Sequence, residues 1–582
     1  MGHLAAKLNI LIVSRFQRVC LLATLAAGFL GAQPADLVLR NGTILTLEAS
    51  GTVQALAARD GKIVALGTNR DVESLTGPST RIIDLNGRLA IPGLIEGHGH
   101  FMALGASKME LNLRNARNWD EIVAMVAAAA RQAKPGTWIL GSGFHQAKWD
   151  KPTSPNVLGF PVHDELSKVS PNNPVWLVHA SEHAGFANAE AMRLAGIDKN
   201  TPDPPGGQIL KDADGRPTGL LNEKAEALVT QALASYRAKL PAAERAAEAR
   251  KQVELAEREA LSKGITTFED AGSPMATIDL LKDLAEHGKL DIRVWMMLRQ
   301  PNDEIQRHLK KYFFIGAGDR HLTVRAIKRQ IDGALGSRGA LLLEPYSDLA
   351  ADAPNRSGLY TEDPLDIRKT AELAITNGFQ MCVHAIGDRA NREVLDLYES
   401  VFKEHPEKNG KTLRWRIEHA QHLNSADIPR FAQLGVIAAM QAVHCTSDAP
   451  FVPIRLGYQR AEGGAYVWQK LMQSGAVVGN GTDTPVEDVD PIAGFYASVS
   501  RKLKDGSVFF PDQRMSRLEA LQSYTMNNAY AAFEDEIKGS LKLGKLADIT
   551  VLSKDILTTP EDEIPSAKVD YTIVGGKVKY QR

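Results

Sequence analysis

Leu89-Ala-Ile-Pro-Gly-Leu-Ile-Glu-Gly-His-Gly-His-Phe101 is the stretch on which the fold turns. A short apolar run passes through Pro92-Gly93 into Leu94-Ile95, then presents His98 and His100 two residues apart. On a β-strand side chains alternate between faces, so both imidazoles point the same way. Neutral imidazole suits zinc and similar divalent ions, which makes the end of this strand a candidate ligand pair. A lone His-x-His is a weak signal, because surface and core histidines match it without binding metal. Its weight depends on whether further ligands arrive at the ends of other strands.

Seven more strand-like runs follow: Gly264–Gly272, Ile292–Leu298, Leu322–Asp332, Gln380–Asp388, Arg414–Gln421, Val436–His444 and Val477–Asp483. Helical patterns separate several of them. Ala242–Lys263, rich in Ala, Glu and Arg, has apolar residues at helical spacing and a charged, solvated face. Eight strands alternating with helices predict an α/β protein built on a (β/α)8 TIM-like barrel, whose sites lie at the C-terminal strand ends. The gap from His100 to Gly264 is too long for one barrel connection. It holds strand-like Trp138–Gly143 and Pro174–His179, a Pro-rich stretch over 151–174 and a Pro-Pro-Gly-Gly turn at 204–207. This reads as a subdomain inserted after strand one, over about 104–225, placed to cover the barrel mouth.

Before and after the barrel the pattern turns to short strands. Asp36–Leu47 alternates around Asn41-Gly42, a hairpin signature, and Val53–Ala58, Lys62–Leu66 and Arg81–Leu85 continue it. At the other end Ile549–Leu552 and Tyr571–Val578 are strands, the latter turning at Gly575-Gly576. Strand-rich ends predict one small β-sandwich made from 36–91 and 538–582, with the barrel domain over 92–537 between its halves. Internal repeats and low-complexity segments are not evident.

The chain has 582 residues, 44% hydrophobic and 24% charged, as expected of a globular protein of more than one domain. With a net charge of −1 and no basic cluster interleaved with aromatics, nucleic acid is not an expected partner. Residues 1–32 contain no Asp or Glu; Lys7, Arg15 and Arg18 precede an apolar run from Val19 to Leu30, then Gly31-Ala32. This predicts a cleaved signal peptide and a periplasmic or secreted protein without a stable membrane anchor, an uncleaved anchor being the alternative. Its loss removes three positive charges and takes the net charge from −1 to −4. Cys382 and Cys445 then remain, too few for a disulfide framework and placed in apolar runs as buried thiols.

Candidate ligands recur at the other strand ends. Lys328 lies in strand four, His384 ends strand five in Met-Cys-Val-His, His419 ends strand six in Arg-Ile-Glu-His, and Asp483 ends strand eight in Gly-Thr-Asp. Singly, each has a plain structural explanation as a hydrogen-bonded core group, a turn or a helix cap. Together with His98 and His100 they are hard to obtain by chance.

With these motifs the sequence resembles the amidohydrolase superfamily of metal-dependent hydrolases, in its YtcJ-like (amidohydrolase 3) branch, from about Asp36 to the C-terminus. The resemblance is carried by Ile-Pro-Gly-Leu-Ile-Glu-Gly-His-Gly-His100, Asp332-Gly-Ala-Leu-Gly-Ser-Arg338, Val-His-Ala-Ile-Gly-Asp-Arg389, Arg-Ile-Glu-His-Ala-Gln-His422, Gly-Thr-Asp483 and Gly-Ser-Leu-Lys-Leu-Gly-Lys-Leu-Ala-Asp548. It implies a centre of one or two divalent ions, zinc foremost: His98, His100 and Asp483 on one, His384 and His419 on the other, and Lys328 bridging them as a carbamate. It implies hydrolysis of a non-peptide C–N bond in an amide, N-acyl or N-formyl compound by metal-activated water, with Asp483 as the proton shuttle. His183, His145, Asp332, Arg338 and Gln441 are the implied or candidate substrate contacts. The chain departs from the branch pattern at Arg329-Gln330, at His145 and His179 in the insertion, and at Ala442 after Gln441. A deaminase of a heterocycle, with one ion and an unmodified Lys328, is the second reading. A non-catalytic binding scaffold is a remote third, since such a chain should lack ligands. A small molecule is the expected partner, and a homodimer the candidate assembly.

Overall fold

The computed structural model describes residues 33–582, apart from 147–148, 180–183, 206, 337, 353–354 and the side chain of Glu223. The expected signal peptide over 1–32, and His183, lie outside the described residues.

Eight parallel strands form the central sheet, hydrogen-bonded in chain order: β1 (Leu94–Gly99), β2 (Ile265–Ser273), β3 (Arg293–Leu298), β4 (Leu322–Gln330), β5 (Gln380–Ala385), β6 (Arg416–His419), β7 (Ile437–Gln441) and β8 (Val478–Gly481). Alternation sorts the side chains. Along β3, Val294, Met296 and Leu298 join the core shared with the surrounding helices, whereas Trp295 and Met297 face inward with Ala326 and Cys382. Helices between successive strands cover the sheet, the longest being Ala242–Ser262 and Asp388–Glu404.

The sheet is a nearly closed TIM-like barrel, and specific bonds draw its two edges together. Asp483 N–H donates to His98 C=O at 2.7 Å, and His100 N–H to Thr484 C=O at 2.8 Å. The amide nitrogen of Asn528 spans the seam, donating to Ile95 O at 3.0 Å and Asn480 O at 2.8 Å. The buried carboxylate of Glu96 accepts from the Thr482 N–H at 2.6 Å and from its hydroxyl at 3.1 Å. Gly97 permits this approach: a Cβ there would lie 2.6 Å from Asn480 O and from the Asn528 amide.

Several barrel strands end earlier than the apolar runs suggest. β7 stops at Gln441, where helix Ala442–Asp448 begins, and β5 stops at Ala385, three residues before helix Asp388–Glu404. An apolar run does not distinguish the end of a buried strand from the first turn of a buried helix.

Two further sheets lie beside the barrel. A four-stranded sheet holds Lys62–Gly67, Ala55–Arg59, Leu37–Arg40 and Arg81–Asp84, in that order. A six-stranded sheet holds Lys577–Gln581, Val569–Val574, Ile549–Leu552, Leu89–Pro92, Thr43–Leu45 and Thr52–Val53, so it draws strands from both ends of the chain. The two share an apolar core that includes Leu37, Ile44, Leu56, Ile549 and Ile573. The hairpin expected around Asn41-Gly42 is absent: Leu37–Arg40 and Thr43–Leu45 belong to different sheets. Asn41 turns the chain between them at φ +59°, its backbone N–H held by Asn69 Oδ1 at 3.0 Å and its side chain by Asp84 at 2.7 Å.

The insertion after β1 carries its own six-stranded sheet, from Leu111–Asn112 to Pro217–Glu223, with an apolar core on each face. It reaches the barrel mouth through Arg114, whose guanidinium donates to Pro485 O at 3.1 Å, two residues beyond Asp483.

Candidate metal centre

The C-terminal end of the barrel gathers His98 from β1, His100 just beyond it, Lys328 from β4, His384 from β5, His419 from β6, and Asp483 two residues past β8. Asp483 is the meeting point. Its Oδ1 lies 3.6 Å from His98 Nε2 and 3.3 Å from His100 Nε2. Two ligand triads intersect there: His98, His100 and Asp483, and His419, His444 and Asp483, the ligand atoms of each within 4.8 Å of one another. His384 lies against His419, ring centroids 4.3 Å apart, and His419 lies 4.7 Å from His98.

Backbone geometry matters as much as residue type. Arg416 and Glu418 point into the barrel, so simple alternation would turn His419 outward. Instead His419 and Ala420 adopt φ of +75° and +42°, and Asp483 adopts +56°. Non-glycine residues rarely occupy this region, and where they do the strain is characteristic of functional sites.

Hydrogen bonds fix the imidazole tautomers. His98 Nδ1 faces Glu418 Oε2 in a very short contact, leaving Nε2 directed at Asp483. His419 Nδ1 donates to Gln441 Oε1 at 2.8 Å, and Gln441 commits its own nitrogen to Ala439 O at 3.2 Å, which fixes the amide orientation. Each ring thereby turns its Nε2 lone pair to the centre. Behind them, buried Arg416 ties Glu418 to Glu269 and donates to Gly97 O at 2.7 Å. Burial alone would raise the Glu418 pKa, but Arg416 and His98 hold its carboxyl well below the usual range.

The protonation states suit a cation. Burial, then the charge of Lys328, pushes the His98 pKa down to about 4. Burial likewise drives His384 and His419 well below the ordinary histidine value. Asp483 would be raised by burial, yet the His100 hydrogen bond and the neighbouring imidazoles hold it well below the carboxylate range. Neutral rings and an ionised carboxylate are the forms that ligate. His98 Nε2 and His384 Nε2 are moreover buried with no hydrogen-bond partner among the described residues. Unpaired buried polar atoms are costly, and a divalent ion satisfies them together. The donor set fits a metal.

Lys328 is 3% exposed and makes no hydrogen bond or ion pair among the described residues; burial pushes its pKa down. The residues expected to contact substrate already have protein partners. Asp332, fully buried, accepts from the N–H groups of Leu341, Ile386 and Gly387 at 2.9, 3.0 and 2.9 Å and lies 3.6 Å from His384 Nε2. Arg338 pairs with Asp348 at 2.7 Å, and Gln441 orients His419. His145 sits in the inserted subdomain, its ring 4.6 Å from that of His179.

Four contributors escape a reading of the sequence: Glu96, Arg416, Glu418 and His444. Charges at alternate positions of the otherwise apolar Arg416-Ile-Glu418 were the available signal for two of them.

A family profile described as "Amidohydrolase family" matches residues 81–580. Among curated proteins, Protein LONG AFTER FAR-RED 3 of Arabidopsis thaliana is 34% identical over 94% of this chain and 92% of its own length. Putative amidohydrolase YtcJ of Bacillus subtilis is 30% identical over 92% of this chain and 97% of its own. An N-substituted formamide deformylase of Arthrobacter pascens is 27% identical over 94% and 99%. Among solved structures, a metal-dependent hydrolase of Pyrococcus horikoshii aligns with a TM-score of 0.73 and 26% identity, covering 90% of this chain and 99% of its own.

Proposed function

The chain belongs to the amidohydrolase family and is a metal-dependent hydrolase of carbon–nitrogen bonds other than peptide bonds; from that premise we propose that it cleaves N-formyl or N-acyl amines in the periplasm or outside the cell. One observation carries the reading of the site: buried Asp483 Oδ1 lies 3.6 and 3.3 Å from the Nε2 atoms of His98 and His100 and shares a second ligand group with His419. The full-length likeness to a formamide deformylase supports the substrate class. The charge pattern of residues 1–32 supports export.

His98, His100, His384, His419 and Asp483 would hold the ions, zinc being the metal best suited to this imidazole-rich set. A bound divalent ion supplies Lewis acidity, lowering the pKa of water and polarising a carbonyl. Asp483 Oδ1 accepts the proton of the attacking water and delivers it to the leaving nitrogen. Glu418 and Gln441 hold the His98 and His419 rings, so ligand geometry is set before substrate arrives. Lys328, buried beside these rings without an ion pair, makes poor sense as a cation. As a carbamate it would turn +1 into −1 and supply two oxygens.

The test is metal analysis of protein purified without chelator, followed by assay of formate or carboxylate release from N-substituted formamides and N-acyl amines. Release that chelator abolishes and Zn2+ restores is the expected result. A metal-loaded protein inert to every member of both classes defeats the proposal. The N-terminus of the exported protein, read by mass spectrometry, tests localisation: a start near Gln33 is expected, and an intact Met1 on cytoplasmic enzyme refutes it.

A further inference from the structure

The second ligand triad contains a residue whose chemistry differs from that of its neighbours. His444 lies on helix Ala442–Asp448, directly beyond β7, and is 6% exposed. Its ring is nearly parallel to that of His419, at 9° and a centroid distance of 6.2 Å. Its Nε2 is buried with no hydrogen-bond partner among the described residues, and its ring brings a nitrogen within 4.8 Å of the ligand atoms of His419 and Asp483.

Each of the two rings has a glutamine at Nδ1, but the amides are turned in opposite senses. His419 Nδ1 meets the oxygen of Gln441, so it carries the hydrogen and its Nε2 has the lone pair. His444 Nδ1 meets the nitrogen of Gln421 at 2.9 Å. With the amide nitrogen turned to it, this Nδ1 is the acceptor, and that arrangement leaves the ring hydrogen on Nε2. An N–H cannot ligate a metal. It can bind an oxygen.

Resting on the amide-hydrolase reading above, we propose that His444 is a substrate-binding group, not a ligand: its Nε2–H donates a hydrogen bond to the carbonyl oxygen of the scissile amide. As water adds to the carbonyl carbon, the carbon–oxygen π pair moves onto that oxygen. The Nε2–H faces the growing negative charge and no proton is transferred. A donor fixed in a dry site before reaction contributes most at that moment. It also explains why a buried N–H is left open, since its partner arrives with the substrate.

The experiment compares metal-loaded wild type, His444→Leu and His444→Gln on the best N-substituted formamide. It reads metal per chain, the visible spectrum of the Co2+-loaded protein, kcat and KM. All variants are expected to keep the parental metal content and spectrum. His444→Leu should lose kcat by about 10²-fold, the usual effect of deleting one such donor, with a smaller change in KM. His444→Gln, which returns an N–H, should recover part of it. Lost metal or a changed Co2+ spectrum in His444→Leu makes His444 a ligand and overturns the proposal. Parental kcat in His444→Leu overturns it as well. An inert wild type with full metal instead defeats the substrate reading and this proposal with it, so the two failures are told apart.

Discussion

Lys328 is the residue whose chemistry decides how many ions the centre holds. A buried ammonium among His98, His384 and His419 would repel the cation those rings gather, and its own burial without an ion pair is costly. Lys328→Ala should therefore lose metal and turnover, and short carboxylates such as acetate or formate should restore part of both by supplying the missing oxygens. Metal per chain and turnover, with and without the added acid, are the measurements. Unchanged values in the variant would leave an enzyme built on the histidines and Asp483 alone. At this scale the sequence pointed to His98, His100, His384, His419 and Asp483 by residue type and position at a strand end, and the fold brings these five together. It was silent on His444, because a nine-residue apolar run conceals the change from strand to helix at Ala442. It was silent on the Glu418–His98 and Gln441–His419 pairs too, because partners from different strands leave no spacing to read.

Among the elements, the seam between β1 and β8 carries the centre, because His98, His100 and Asp483 all hang on it. The glycine before His98 follows from this. A methyl group at position 97 would meet Asn480 O and the Asn528 amide at 2.6 Å, closer than real contacts allow, and backbone cannot yield as a flexible side chain does. Gly97→Ala is expected to part β1 from β8, move His98 and Asp483 out of register, and lower both metal content and the unfolding midpoint. Thermal melts beside metal analysis check it; a variant with parental metal and midpoint would show that the seam has slack. The eight barrel strands were legible because each is an apolar run bounded by turn residues. The positive φ at His419 and Asp483, which aims two ligands, was not, since tertiary contacts impose it on residues that disfavour it.

On the scale of the whole molecule, the barrel and the terminal sheets are joined by Arg293 at the start of β3 and Asp548 beside Ile549–Leu552. The two are bonded at 2.8 and 3.0 Å, with side chains 3% and 4% exposed. Removing one partner strands the other charge, typically at about 3–5 kcal/mol, so Arg293→Leu should be strongly destabilised in denaturant titrations at neutral pH. The pH dependence should change sign. In the wild type burial would raise the Asp548 pKa, but Arg293 holds it below its ordinary value. Its contribution is present above the unfolded carboxylate pKa and fades as pH falls through the lower folded one. Without Arg293 burial raises that pKa, so the contribution is present below the unfolded value and is lost as pH rises through the folded one. The variant should thus lie closer to wild type near pH 4 than at pH 7, and an equal deficit at both would show that the pair is not coupled to the fold in this way. The six-stranded sheet also sets a timetable. Thr43–Leu45 and Leu89–Pro92 are made before the barrel, but the strand beside Leu89–Pro92, Ile549–Leu552, is made after it. Until the barrel has been made, one edge of the nascent sheet stays open, and Arg293 waits for Asp548. The sheet can be completed only after the whole barrel has been made, which leaves a long interval in which the chain can be engaged by a chaperone.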